Sequence, residues 1–205
     1  MRRVRDAFRR LITRFARNER AAAAVEFALI LPFLITLYIG SIEASSLFTV
    51  DRRIEVIAGT TADLLARWNP NEGAITKAIV TDYFTAAQGI ITPYTTSGLK
   101  QVLSLVSVNA TGTTIRVVWS CAYNGGTALV ANSNFVLESN MIRLATSNMT
   151  KAGFVIVAKA SYSYRPVLGM VFTSALNLEN QALFLPRFGT TLAAPTGGCP
   201  TNTAM

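Results

Sequence analysis

From Ala21 to Ile42 the chain runs through 22 residues with a single charge, Glu26. As a helix such a run spans roughly 33 Å, enough to cross a bilayer. No second run of this length follows, so the pattern predicts one membrane pass. Beyond it, apolar positions recur at Leu47, Val50, Ile54, Ile57, Ala58, Thr61, Leu64 and Leu65, with Asp51, Arg52, Arg53, Glu55 and Asp63 on the other face. That 3.6-residue period predicts an amphipathic stem continuing the membrane helix to about Arg67. Pro70, in "WNPNEG", stops it. A shorter helix is predicted from near Asn71 through "EGAITKAIVTDYFTAA", and "GIITPYTTSG" reads as loop.

Then the period falls to two. "KQVLSLVSV" (100–108), a turn at "NATGT" and "TIRVVWSCAY" (114–123) predict a β-hairpin, with Ile115, Val117, Trp119 and Cys121 sharing one face of its second strand. "GFVIVAKASYSYRPV" (153–167) predicts a third strand with Phe154, Ile156, Ala158, Ala160, Tyr162 and Tyr164 on one side. "ALNLENQALFLPRF" (175–188) holds a fourth. Residues 128–150, rich in Asn, Ser and Thr, give no clear period, and 189–205 read as a flexible tail. The expected fold class is α+β: a long N-terminal helix, half membrane-spanning and half stem, packed on a small antiparallel sheet. The expected map is leader 1–21, membrane helix 22–42, stem 43–67, outer domain 68–188 and tail 189–205.

Charge sharpens the topology. Of the chain's formal net charge of +8, residues 1–20 carry a surplus of six, eight arginines against Asp6 and Glu19. A basic flank beside an apolar run stays on the cytoplasmic side, so residues from about 43 onward lie outside. A pI of about 10.0 would suggest nucleic acid if the charge lay on a folded basic face. Here most of the charge sits in the leader beside the apolar run, and nucleic acid is not expected as a partner. Within the leader Val4, Phe8, Leu11, Ile12 and Phe15 fall at helical spacing, as in a helix lying along a membrane surface. The apolar run is longer than that of an ordinary secretory signal.

Cys121 and Cys199 both fall on the outer side, where an oxidising compartment lets them close a disulfide or remain as two thiols. With two cysteines and no histidine, the usual structural-zinc patterns are missing. The commonest general base and the usual triads are missing too. No glycine-rich phosphate loop follows a strand. Neither an enzyme, a cofactor, a metal nor a small-molecule substrate is expected.

The residues resemble a known family. A basic leader, then "AAAAVEFALILPFLI" with Glu26–Phe27 early in the apolar run and Pro32 six residues after the acid, is similar to TadE-like proteins. These are pseudopilin-like minor components of tight-adherence type IV pilus systems. The likeness continues through "GSIEASSLF", which holds Glu43, and "TTADLLAR" on the stem. It is looser in "ASYSYRPVLG" and "LPR". The resemblance implies a bacterial inner-membrane protein with a periplasmic domain. It also implies pilin-like partner subunits, a pilus assembly platform, and a prepilin-type peptidase that cuts the leader. The family's cut follows a glycine; the aligned position here is Ala21, so the processing junction would be Ala21–Ala22 and Glu26 would be fifth in the mature chain.

On that reading Glu26 pairs with the α-amine of a neighbouring subunit; otherwise it snorkels to the headgroups without a partner. Pro32 either kinks the helix or is simply tolerated in it. Glu43 is expected as an interfacial acid on the outer side. The alternative function is a permanently anchored periplasmic binding or adhesion module.

Overall fold

A computed structural model describes residues 19–147, 149–166, 169–170, 173–188 and 192–200. Most of the leader therefore lies outside the described residues. The described residues fall into two compact units, one reaching Ser46 and including Pro166–Ser174, the other Leu47–Arg165 with Ala175 onward.

The first helix, α1 (Glu19–Ala66), is unbroken and contains Pro32. Its stem half buries Val50, Ile54, Ile57, Ala58, Thr61, Ala62, Leu65 and Ala66. That stripe is the one the 3.6 period predicts, except that Ala62 and Ala66 are buried where Leu64 is only partly so. Small residues on the stripe let the helix lie close against the sheet. Each fully buried Ile or Leu contributes about 1.5–3 kcal/mol.

Four strands, β1 (Leu99–Val108), β2 (Ile115–Tyr123), β3 (Gly153–Tyr164) and β4 (Leu176–Phe184), form an antiparallel sheet in the order β2-β1-β3-β4. Leu99, Leu103 and Leu105 of β1 and Ile156, Ala158, Ala160, Tyr162 and Tyr164 of β3 pack on the stem face. Val106, Val108, Val155 and Val157 point to the other face. The α+β class and the helix-on-sheet arrangement are as predicted.

One strand differs. The β1–β2 register shifts between Leu105 and Val106: Leu105 faces Trp119, but Val106 faces Val117. Val118 is therefore an extra residue, a β-bulge. Trp119 and Cys121 join the stem-side core, while Val117 and Ile115 pack on the opposite side with Leu137, Met141 and Ile142. The four residues expected on one face are split two and two, because an inserted residue inverts the side-chain alternation.

The second helix also differs. Asn69 caps a single 3-10 turn at Pro70–Glu72, which ends at Gly73 with φ +125°. The α-helix proper, α2 (Lys77–Gln88), starts later, where the Thr76 hydroxyl accepts from the Ile79 N–H at 3.3 Å. The unassigned stretch 128–150 resolves into two pieces. Residues 132–135 run beside β2, with Asn132 N–H to Val117 O at 2.8 Å and Phe135 N–H to Ile115 O at 3.0 Å. A short helix, α3 (Ser139–Ala145), then leads to β3. Gly153 opens β3 because a Cβ there would lie 1.8 Å from the Ala145 carbonyl oxygen.

Residues 192–200 are not a free tail. Leu192 is buried, and its carbonyl accepts from the Trp119 indole N–H at 3.1 Å. Thr196 bridges Thr76, exchanging bonds with Ile75 O and Lys77 N–H at 2.9 Å each. Cys199 is disulfide-bonded to Cys121. The short apolar and polar residues of this segment found partners across the outer end of the stem-side core, which local composition does not reveal.

Candidate functional site: an exposed apolar helix and its carboxylates

The first part of the apolar half of α1 is bare among the described residues. Every described side chain from Ala23 to Tyr38 is exposed, including Phe27 at 58% and Leu37 at 74%. Exposed apolar surface of this extent is unfavourable in water and favourable in hydrocarbon. Among the described residues this is the one helix long and apolar enough to cross a membrane.

Glu26 lies on that helix, exposed, with no ion pair among the described residues. Phe27 flanks it and is equally exposed. Pro32, one and a half turns on, has no N–H to give the preceding turn. The helix runs on through it, and its carbonyl accepts from the Thr36 hydroxyl at 2.9 Å. Ser41 and Ser46 also back-bond, to the carbonyls of Tyr38 and Ile42. Hydroxyls that satisfy themselves on their own helix are compatible with an apolar surrounding. Ala21 and Ala22, the expected junction, are helical in backbone.

Glu43, expected as an interfacial acid on the outer side, is not left open to solvent. It is buried, 2% exposed, and accepts from the backbone N–H of Met170 at 3.0 Å. Met170 belongs to the β3–β4 connection and directly follows "ASYSYRPVLG", so Glu43 of "GSIEASSLF" bonds the residue next to that stretch. A similar convergence occurs at Asp63, in "TTADLLAR". Its carboxylate pairs with Arg67 at 2.6 Å and with Arg187 of "LPR". The Arg187 N–H also bonds the Ala66 carbonyl, closing the last turn of α1. These acids sit in the helix for contacts made far along the chain. Only the Met170 loop could have been suspected from sequence, through its lack of polar residues.

Deeper in the outer unit, Gln101 is a buried polar residue that the alternating pattern of β1 hid. Its side chain donates to the Phe84 carbonyl at 3.0 Å and accepts from the Thr61 hydroxyl at 3.2 Å. It stitches β1 to α2 and α1. No group of three or more His, Cys, Asp or Glu is placed to hold a metal among the described residues.

In comparison with known proteins, the family described as TadE-like protein matches residues 21–63, and this segment is similar to it. The matched segment contains the apolar run, Glu26, Phe27, Pro32, Glu43 and the first part of "TTADLLAR". No curated protein and no solved structure matches the chain.

Proposed function

With residues 21–63 TadE-like, we propose that this protein is a minor, pseudopilin-like assembly subunit of a tight-adherence pilus system. It is held in the bacterial inner membrane by α1, with the leader in the cytoplasm and the sheet unit in the periplasm. The observation that carries the reading is the exposed carboxylate of Glu26 on a helix that is otherwise bare and apolar. In hydrocarbon an unpaired carboxylate is expensive. An exposed acid one turn past Ala22 suits a cation that another subunit brings to the same depth.

The processing step supplies such a cation. Cleavage between Ala21 and Ala22 by a prepilin-type peptidase creates an α-amine, and Glu26 of an adjacent subunit pairs with it. The pairing sets the register between neighbouring helices, and desolvation of both charges limits its net strength. Two facts support this: the TadE-like match begins at Ala21, and α1 is helical on both sides of the junction. The platform, the peptidase and other pilin-like subunits are the partners of this scheme.

N-terminal sequencing of protein extracted from membranes tests it. Ala22 as first residue is the expected result; an intact Met1 in cells with active peptidase overturns the processed subunit and favours a permanently anchored binding module. Glu26→Gln keeps size and polarity but removes the charge. Membrane insertion is expected to persist and pilus assembly to fall; normal assembly counts against the pairing.

A further inference from the structure

The connection between β3 and β4 contains "PVLGMVF", Pro166 to Phe172, seven residues without a charge or a polar side chain. Connections between antiparallel strands usually carry polar and turn-forming residues, because they run through water. This one clusters with the membrane half of α1 and not with the sheet unit it interrupts. Its tie to the helix is the bond from the Met170 N–H to Glu43. The Met170 side chain itself is 66% exposed.

Glu43 marks a depth. From Ala23 the bilayer hydrocarbon takes about 20 helical residues, roughly 30 Å, which ends the crossing at Ile42. Tyr38, one turn earlier and 66% exposed, is the kind of ring that settles at the headgroup level. A backbone bonded to Glu43 is therefore at the outer surface of the membrane. The exposed Met170 side chain, placed there, meets acyl chains and headgroups before it meets water. Its backbone N–H also gives the acid a partner that lipid cannot supply.

We propose that the β3–β4 connection makes a second lipid contact at Met170, held at the periplasmic bilayer surface by Glu43. The proposal rests on α1 crossing the membrane.

The test uses the full chain, disulfide intact, in vesicles of phosphatidylethanolamine and phosphatidylglycerol. An environment-sensitive dye is attached in turn at Met170→Cys, at Leu37→Cys in the apolar helix and at Glu179→Cys on β4. Spin-labelled lipids are expected to quench the dye at 170 at least about twofold more than at 179, as shallow insertion requires. Quenching at 170 no stronger than at 179, with position 37 quenched, overturns the loop contact and leaves the membrane helix standing. Failure of lipid to quench position 37 overturns the membrane crossing, and the loop proposal with it.

Discussion

Removing a residue from the middle of a strand ordinarily inverts everything beyond it, yet deletion of Val118 is expected to be tolerated. Leu105 faces Trp119 and Val106 faces Val117, so the residues on either side of Val118 already oppose consecutive positions of β1. Taking Val118 out joins them into a regular strand with both faces unchanged. What is lost is the burial of a valine that is 39% exposed, about 1–2 kcal/mol on the scale of 1.5–3 for full burial. Deletion of Ser120, two residues on, is the control. It absorbs the bulge by moving Trp119 opposite Ser104, out of the stem-side core, and breaks the indole bond to the Leu192 carbonyl. Evicting a core tryptophan costs about 3–5 kcal/mol. Denaturant unfolding of the full chain in detergent, followed by far-UV circular dichroism and tryptophan emission, separates the two. Equal losses, or a loss above about 4 kcal/mol for the Val118 deletion, would refute the split of β2 between two faces; such a loss is what exposing Ile115 and Val117 together would produce.

Two other perturbations probe the same body. Replacing Cys121 and Cys199 by alanine opens a loop with a sequence separation of 78, which in the chain-entropy model is worth up to about 4.5 kcal/mol. The unfolding midpoint should drop, and Trp119 emission should shift red as Leu192 loosens; an unchanged midpoint contradicts the staple. Gln101→Leu removes the bonds to Thr61 and Phe84 and leaves a buried hydroxyl that can still back-bond to Ile57. A loss of about 1–2 kcal/mol is expected, and Thr61→Val in the same chain should add little to it; fully additive losses in a double-mutant cycle would mean that the two side chains act independently.

Where one face of an element meets one environment over its whole length, the sequence was readable. The stem stripe and the alternation of β3 are of this kind, each stating its burial directly. β2 has the same Ile-Val-Trp-Cys alternation, but a bulge divides it, and residue type cannot distinguish a valine facing one core from a valine facing another. The start of α2 was misplaced because Asn69 and Pro70 initiate a turn as readily as a helix. Gly73 at φ +125° then breaks the chain before Thr76 caps the real start. The segment 192–200 looked free because its anchors, Trp119 and Thr76, are remote in sequence. Gln101 was hidden for a similar reason, since its partners lie on two different helices.

The carboxylates of α1 separate into two kinds once their surroundings are compared. Glu43 and Asp63 are answered within the chain, by a backbone N–H and by two arginines, and both answers come from residues more than a hundred positions away or from the next helical turn. Their place in a TadE-like segment is therefore explained by folding alone, since each fixes a distant connection to the helix. Glu26 is not used in that way. It stands exposed on a surface where every neighbour from Ala23 to Tyr38 is also exposed, so nothing among the described residues requires a charge there. A residue that is costly in its surroundings and idle in its own fold draws its usefulness from another molecule. Under the proposed function, Glu26→Gln is therefore the substitution expected to weaken assembly while leaving the stability of the sheet unit untouched; equal loss of both would count against that role.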